Sequence, residues 1–311
     1  MRTMKLYRHG FTLGTQPKNN SHNRAKRGEV IGWSTSASRR NISFLRSVVE
    51  TELNTQGYKA HALTLTLRTC PPTSDEWGRL RTAFIHRMRR LGLLRLHWVT
   101  EWQRRAVPHL HAALWLPETV SHRVIIDHWL DLTSNKYGSL AKGQYVLPIT
   151  DAVGWFKYLS KHTARGAAHY QRSPESIPSG WSKTGRVWGK TGDWPVREAI
   201  NLELDDSAFY KLRRIAKGWR VADARSELSA SMGVFRAENR TLLAAMESHE
   251  TKKLLALVAK PEKRRFCQAK GMLTCSDKAL SAVRGVSEWV PESVMDSALA
   301  NVVEQGGQVA C

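Results

Sequence analysis

The chain has 311 residues and a formal charge of +21 at neutral pH, with 48 lysines and arginines against 27 acidic residues. This length is enough for one sizeable hydrophobic core and a second, smaller one. So large a positive excess attracts polyanions and favours a nucleic acid partner, although ribosome association or a merely solvated surface also fits it. No stretch approaches the length of apolar residues that crosses a membrane, and the N-terminus lacks the apolar core of a secretion signal. We therefore expect a soluble protein that stays inside the cell.

The cysteine and glycine patterns exclude further classes. Cys70, Cys267, Cys275 and Cys311 show no Cys-x-x-Cys spacing, which fits neither a disulfide framework nor a zinc site. We expect four free thiols in a reducing cytoplasm. The phosphate-binding pattern Gly-x-x-x-x-Gly-Lys-Ser/Thr is missing from the sequence, so nothing indicates an ATPase or helicase domain.

Composition and hydrophobic periodicity together predict three regions along the chain. Residues 1–29 are polar and basic and are expected to form a flexible arm. Residues 30–200 are expected to form one α+β domain, and residues 201–311 a mainly helical C-terminal region of unknown role. That last region begins with Asp205 and a basic amphipathic stripe through Phe209 and Leu212, and a second helical segment is expected near 236–260.

Within the α+β domain the predicted elements alternate between helices and strands. In chain order they are a helix near 38–55, a strand at 61–68, a helix at 74–91, strands at 93–103 and 108–116, a helix near 121–136, a strand at 143–149 and a helix at 151–163. This order predicts a sheet with an antiparallel central hairpin and helices packed against it.

The predicted hairpin carries a candidate metal site. His109 and His111 are separated by one apolar residue, so on a strand they share a face and lie about 6–7 Å apart. If the turn centres near Arg105, Glu101 lies opposite His109 and can complete the site. A register slip of one residue would turn Glu101 away. Gln103 shares the face of Glu101 and is the reserve ligand. Two imidazoles and one carboxylate leave coordination positions open, as a catalytic metal requires.

The helix at 151–163 carries a candidate nucleophile. Tyr158 and Lys161 are three residues apart and are therefore neighbours on the helix surface, with Asp151 as the helix start. An ammonium group there favours the phenolate and stabilises charge on a phosphate. The alternative is that Tyr158 lies at the edge of the core and Lys161 is a solvated charge.

In several segments the sequence resembles the rolling-circle replication initiators of the HUH endonuclease superfamily, and in particular the replication proteins of filamentous bacteriophages and related plasmids. These segments are Gly32-Trp33-Ser34 with Ser38-Arg39-Arg40, the strand at 62–67, the block from Glu101 to His111, the block from Tyr158 to His162, and Gly185 to Gly189 with Trp194-Pro195. They span roughly residues 30–196, about half of the chain.

The resemblance implies a fold, a reaction and a cellular setting. The fold would be a sheet of about five antiparallel strands with the metal site on the central pair. Glu101, His109 and His111 would hold Mg²⁺ or Mn²⁺, and Tyr158, assisted by Lys161, would attack single-stranded DNA at a replication origin. Cleavage would leave a 5′-phosphotyrosine linkage and a free 3′-hydroxyl for a polymerase, with a host helicase separating the strands in the cytoplasm of a bacterial host.

One departure from the superfamily concerns a second tyrosine. Some members pair two tyrosines one helical turn apart, but Gly154 and His162 occupy those positions here. We therefore predict a single-tyrosine enzyme, in which termination uses a second subunit or Tyr170.

Two other functions remain compatible with the sequence. One is a single-tyrosine HUH transposase or relaxase, which shares the same site and joins different ends. The other is a non-catalytic basic protein that binds DNA or RNA and whose histidines are core residues. A replicon of phage, plasmid or transposon origin fits the sequence equally well.

Basic and aromatic residues are the candidates for contacts with DNA. Aromatic faces interleaved with arginine can stack unpaired bases, and the best such segment contains Trp181, Trp188 and Trp194. The alternative is that at least half of these tryptophans are core residues, and we expect one or two of them to contact DNA. The candidates for binding DNA are Arg39, Arg40, Arg105, Arg186, Trp188 and Lys190.

Overall fold

The computed structural model describes residues 2–15, 31–160, 171–214 and 286–289, with 300, 304, 308 and 309. Contacts divide the chain into two units. The larger one contains residues 7–9 and 20–199, and the smaller one contains residues 1–6, 10–19 and 200–311.

The helices and strands follow the predicted order. The helices are α1 (Thr35–Ser47), α2 (Ser74–Arg90), α3 (His122–Tyr137) and α4 (Ala152–Ser160), and residues 206–214 are also helical. The strands are β1 (Arg2–Tyr7), β2 (Gly10–Thr15), β3 (Tyr58–Thr66), β4 (Arg95–Trp102), β5 (Pro108–Pro117), β6 (Tyr145–Pro148), β7 (Trp188–Gly192), β8 (Ile200–Leu204), β9 (Val286–Glu288) and β10 (Gln308–Val309).

The larger unit contains a five-stranded sheet in the order β6-β3-β5-β4-β7. Every neighbouring pair of strands in it is antiparallel, and the β4–β5 hairpin lies near its centre. The predicted α+β fold with an antiparallel central sheet of five strands is confirmed.

Helices cover both faces of this sheet, so β4 and β5 are buried almost throughout. On one face Trp129 of α3 makes edge-to-face contacts with Trp77 and Phe84 of α2, in the largest hydrophobic core. On the other face Phe44 of α1 stacks on His97 of β4. Strands buried on both faces read as continuous apolar runs, and β5 forms such a run from Ala112 to Leu116, after its two histidines.

Side-chain caps begin the helices at the expected positions. Ser34, Thr73 and Ser121 accept hydrogen bonds from backbone amides in the first turns of α1, α2 and α3. Asp151 accepts one from the Gly154 amide at 2.7 Å and begins α4, as predicted.

The first helix is shorter than predicted. The sequence predicts a helix to residue 55, whereas α1 ends at Ser47. Val48 pairs with Val196 in an isolated bridge, and the Val49 amide donates to the Pro195 carbonyl at 2.8 Å. Val48 and Val49 are β-branched and favour an extended backbone over a helical one. Their partners, residues 195 and 196, lie far away in the sequence, and pairing with them ends the helix.

The smaller unit contains a second sheet that the sequence did not predict, in the order β10-β8-β1-β2-β9. The predicted flexible arm over 1–29 is wrong for residues 2–15, because these form β1 and β2. Met4, Phe11 and Leu13 are buried with Leu202 and Phe209 in a separate core. The partner strand β8 lies nearly two hundred residues further along the chain, so local composition does not reveal the pairing.

Part of the predicted C-terminal helical region is described. Asp205 accepts a hydrogen bond from the Ala208 amide at 2.7 Å and caps the helix at 206–214, as the sequence predicts. The helix expected near 236–260 and residues 16–29 of the expected arm lie outside the described residues. Within the part of the chain that the structure describes, no helix is long and apolar enough to cross a membrane.

The buried His97 predicts an acid-dependent loss of stability. Burial, with the nearby charges of Arg172 and Lys190, lowers the pKa of His97 to about 3, whereas an unfolded histidine titrates near 6.5. Below about pH 6.5 the unfolded state therefore binds a proton that the folded state does not, and stability falls as the pH falls, by up to about 1.4 kcal/mol per pH unit for one group.

His97→Gln should reduce this slope, because glutamine keeps a donor for Asn41, which accepts from His97 at 2.7 Å, but does not titrate. Urea unfolding between pH 4.5 and 7.5 measures the slope for both proteins. Parallel pH dependences for the two would contradict the prediction.

Candidate metal centre

The turn of the β4–β5 hairpin sets the register on which the site depends. The Gln103 amide donates to the Val107 carbonyl at 2.9 Å, and Ala106 adopts a left-handed φ of 55°. Glu101 consequently pairs directly with His109 across the ladder. This is the register predicted from the sequence.

Glu101, His109 and His111 form one buried cluster, the Glu-His-His group. The Nε2 atoms of His109 and His111 lie 2.8 Å apart. Glu101 Oε2 is 3.5 Å from His111 Nε2 and 3.9 Å from His109 Nε2. All three side chains are at least nine-tenths buried. Since all three residues lie on the same face of one hairpin, the backbone itself brings the ligands together.

The donor set fits a divalent metal ion. One ligand atom from each residue lies within 4.8 Å of the other two, so a single ion can contact all three. Imidazole nitrogen and carboxylate oxygen together suit several divalent ions, and three protein ligands leave coordination positions for a substrate oxygen. The site can therefore hold a metal, and its geometry does not select one ion.

Gln103 does not belong to this cluster. Its Oε1 accepts a hydrogen bond from Arg105 Nε at 2.8 Å. Among the described residues, Glu101 is the carboxylate grouped with the two histidines.

Thr64 of β3 orients one of the histidines. Its Oγ1 lies 2.8 Å from His111 Nδ1. When Nδ1–H donates to this hydroxyl, Nε2 is the atom that faces Glu101 and His109 with its lone pair. The same arrangement is common behind metal-bound histidines.

Arg172 holds the third member of the cluster, and the sequence alone does not reveal it. Its Nε and Nη2 donate to Glu101 Oε1 at 3.0 and 2.8 Å, and its guanidinium lies 3.9 Å from the centre of the Trp33 ring. Nη2 also donates to the Leu159 carbonyl at 2.8 Å. Arg172 is 1% exposed. It lies in a turn and not in a helix or strand, so no periodic signal indicates this role.

The predicted nucleophile lies against the Glu-His-His group. The ring centre of Tyr158 is 5.6 Å from that of His111, and the Trp155 ring stacks on the Tyr158 ring at 4.8 Å. Arg172 bonds the carbonyl of the very next residue, Leu159. The Arg172 guanidinium therefore donates hydrogen bonds both to α4, the helix that carries Tyr158, and to the Glu101 carboxylate.

A side chain at Gly154, one turn before Tyr158, would meet the cap of α4. A Cβ atom there would come within 2.1 Å of Asp151 Oδ2, the carboxylate that caps α4. A larger residue would displace the cap. Lys161, His162 and Tyr170 lie outside the described residues.

The basic candidates for DNA contact differ in their surroundings. Arg39 and Arg40 on α1 and Arg186 before β7 are exposed. Lys190 on β7 is exposed, with its ammonium 4.4 Å from the centre of the Phe44 ring. Arg105 instead donates to the carbonyls of residues 67 and 68, so the structure gives it a role in holding the hairpin turn.

The tryptophan segment is mostly part of the core. Trp181 and Trp194 are buried, and their indole N–H groups donate to the carbonyls of Pro71 and Thr191. These two residues therefore pack in the core, and Trp188 stays the candidate of this segment for stacking on a base. Trp188 is half-buried beside Phe44, at 6.4 Å between ring centres.

The fold and the site together define the class of protein. A five-stranded antiparallel sheet with a Glu-His-His group on its central hairpin agrees with the phage and plasmid replication initiators that the sequence resembles. The chain belongs to the family of replication-associated proteins of the ORF2/gene 2 protein type, whose characteristic region matches residues 60–163.

Individual relatives match almost the whole chain. It is 47% identical over 98% of its length to the replication-associated protein of Pseudomonas phage Pf3, covering 99% of that protein. Two putative replication proteins of Xylella fastidiosa, from strains 9a5c and Temecula1 / ATCC 700964, are each 43% identical over 99% and 93% of this chain, and 99% of each relative is covered. No solved structure matches the chain. The resemblance to replication initiators is therefore confirmed.

Removing one partner of the buried Arg172–Glu101 pair should be strongly destabilising. Arg172→Met leaves a buried carboxylate and Glu101→Gln leaves a buried guanidinium, so each is expected to cost about 3–5 kcal/mol. The double variant should cost clearly less than the sum of the two. Denaturant unfolding in EDTA measures all four proteins, and additive losses would show that the two groups do not interact.

Thr64→Val should weaken metal binding without unfolding the sheet. Loss of the hydroxyl that orients His111 is expected to lower Mn²⁺ affinity about 10- to 100-fold. Thr64→Ser keeps the hydroxyl and is the matched control. Calorimetric titration with Mn²⁺ measures the affinity, and equal values for valine and serine would contradict the orienting role.

Proposed function

We propose that the chain initiates rolling-circle replication by nicking and rejoining single-stranded DNA at an origin, with Tyr158 as the nucleophile. The observation that carries this proposal is the position of Tyr158, whose ring lies 5.6 Å from that of His111 in the Glu-His-His group. A nucleophile beside a three-ligand metal site is the arrangement that metal-assisted phosphoryl transfer requires. Membership of a replication protein family supplies the biological setting.

Glu101, His109 and His111 are the residues that would hold Mg²⁺ or Mn²⁺. Such an ion, when bound, polarises a phosphate oxygen and neutralises charge that develops on it in the transition state.

In the proposed reaction, Tyr158 Oη forms a bond to the phosphorus of a phosphodiester. The bond from phosphorus to the 3′-oxygen breaks, the tyrosine loses its proton, and the departing 3′-oxygen gains one. The 5′-phosphate remains on Tyr158, and the free 3′-hydroxyl can prime a polymerase. Attack by a 3′-hydroxyl on the phosphotyrosine reverses the step and rejoins the strand, because the covalent linkage retains the energy of the cleaved bond.

The surrounding residues orient the nucleophile. Trp155 stacks on the Tyr158 ring with an angle of 11° between the planes, which restricts rotation of the phenol. Arg172 fixes the backbone next to Tyr158 and also holds Glu101. Holding nucleophile and electrostatic groups in one geometry lowers the entropic cost of reaching the transition state. Lys161 is proposed to stabilise charge on the phosphate, as its place on the predicted helix suggests.

The proposed partners follow from the reaction. Single-stranded origin DNA is the substrate, and the chain's charge of +21 favours its approach. Because the sequence contains no phosphate-binding loop of an ATPase, strand separation is assigned to a host helicase and extension to a host polymerase.

A covalent adduct tests this proposal directly. The chain is incubated with 5′- and 3′-labelled single-stranded oligonucleotides from its replicon, in Mn²⁺ or in EDTA, and resolved on denaturing gels. We expect a Mn²⁺-dependent adduct on the fragment 3′ to the nick, mapped by mass spectrometry to Tyr158.

Tyr158→Phe should abolish the adduct and spare DNA binding, because it removes the nucleophilic oxygen and little else. Tyr145→Phe, at a residue 61% exposed on β6, is the matched control and should nick normally. Transposon ends cleaved in preference to origin DNA would favour a transposase. Binding of every origin-derived strand without an adduct would favour a non-catalytic DNA-binding protein.

A further inference from the structure

A groove of about 840 Å³ lies where α2 faces residues 184–186. We call it the α2 groove. Arginines contribute much of its wall, with Arg79 and Arg186 exposed at its rim and Arg81 at its floor. Its volume falls within the range of about 300–1,000 Å³ that is typical of ligand sites.

The α2 groove lies on the sheet face opposite the Glu-His-His group. The guanidinium of Arg81 sits 3.9 Å from the centre of the Trp98 ring on β4. Neighbouring Thr100 accepts a hydrogen bond from Trp77 of α2. Because successive side chains of a strand point to opposite faces, Trp98 and Thr100 face α2 while Glu101 faces away from it.

Arg81 is a buried cation that the described part of the fold does not neutralise. It is 9% exposed, and its Nη1 donates to a neutral group, the Arg186 carbonyl, at 3.3 Å. Among the described residues no carboxylate forms an ion pair with Arg81. The acid of the groove, Asp75, instead lies 3.3 Å from Lys183. Burial, with the charge of Arg186, lowers the pKa of Arg81 to about 10, so it remains charged at neutral pH.

A buried charge without a counter-ion costs folding free energy. An anion that entered the α2 groove would remove this cost. Arginine is suited to such an anion because its planar fork binds phosphate through two parallel hydrogen bonds.

We propose that the α2 groove binds the phosphodiester backbone of origin DNA, at a segment other than the strand that reaches Tyr158. Arg81 and the rim residues Arg79 and Arg186 bind its phosphates. Three arginines line the groove, and no tryptophan, tyrosine or phenylalanine is among its described lining residues, which favours phosphates as its ligands. The chain then contacts DNA on both faces of its central sheet. This inference deepens the proposed function, on which its reference to origin DNA rests.

The test compares two pairs of exposed arginines. Arg79→Ala with Arg186→Ala removes the rim of the α2 groove. Arg123→Ala with Arg197→Ala is the matched control, because it removes the same formal charge from exposed residues paired with Asp127 and Glu52. Binding to long origin DNA is measured by fluorescence anisotropy in EDTA, over a series of salt concentrations and for single and double strands.

The groove variant should bind more weakly than the wild-type chain, and by a similar factor for origin and unrelated DNA. The slope of log affinity against log salt should fall by about 2, one for each arginine that no longer binds a phosphate. The control should keep the slope of the wild-type chain. Equal slopes for the wild-type chain and the groove variant would overturn the proposal.

Arg81→Met tests the floor of the groove. It should also lower the salt slope, while the melting temperature stays within a few degrees of that of the wild-type chain, because methionine can pack on Trp98 without a desolvated charge. An unchanged slope in a folded Arg81→Met protein would remove Arg81 from the site.

A short oligonucleotide that contains only the nick site separates this proposal from the nicking reaction. Arg79→Ala alone, which changes only a rim residue of the α2 groove, should form the Tyr158 adduct with it as the wild-type chain does, since we expect so short a strand to bind only at the Tyr158 face. If no protein forms an adduct but the salt slopes still differ, the groove stands and the nicking mechanism falls. If adducts form and the salt slopes are equal, the nicking mechanism stands and the proposal for the α2 groove falls.

Discussion

Glu101 accepts two hydrogen bonds from Arg172 on one oxygen and directs the other towards His109 and His111. The carboxylate thereby lies between a fixed cation and the place where a second cation can bind. Arg172 also bonds the backbone of the tyrosine helix beside Tyr158. Because burial strengthens each of these contacts and penalises any group left alone, the hairpin, the helix and Arg172 depend on one another for their positions.

The two faces of the central sheet carry different features. On one face, the buried Glu-His-His group, which could hold a metal ion, lies beside Tyr158. On the other face, α2 and α3 supply most of the hydrophobic core, and the α2 groove opens beside them. A sheet covered on both sides keeps the two surfaces at a fixed distance, because closely packed interiors do not deform easily.

The second sheet joins the two ends of the sequence. β1 pairs with β8, and β8 also pairs with β10, so residues near the beginning and the end of the chain share one sheet. The first residues of the chain resemble a disordered arm in composition. Composition alone does not reveal a strand whose partner is distant, since its stability comes from pairing and not from local preference.

Much of the site can be read from the sequence because its signals are local. Two histidines separated by one residue on a strand share a face, and a short hairpin turn places Glu101 opposite His109. The start of the tyrosine helix follows in the same way from a cap at Asp151. By contrast, Arg172, the bridge from Val48 to Val196 and the burial of Trp181 and Trp194 all depend on partners far apart in the chain. The sequence by itself thus determined the candidate ligands, their strands and the candidate nucleophile, through periodicities of two and of 3.6 residues. Only the tertiary structure decided which arginine holds Glu101, which tryptophans are core and where the termini pair, because those choices rest on long-range packing and on the desolvation of charge.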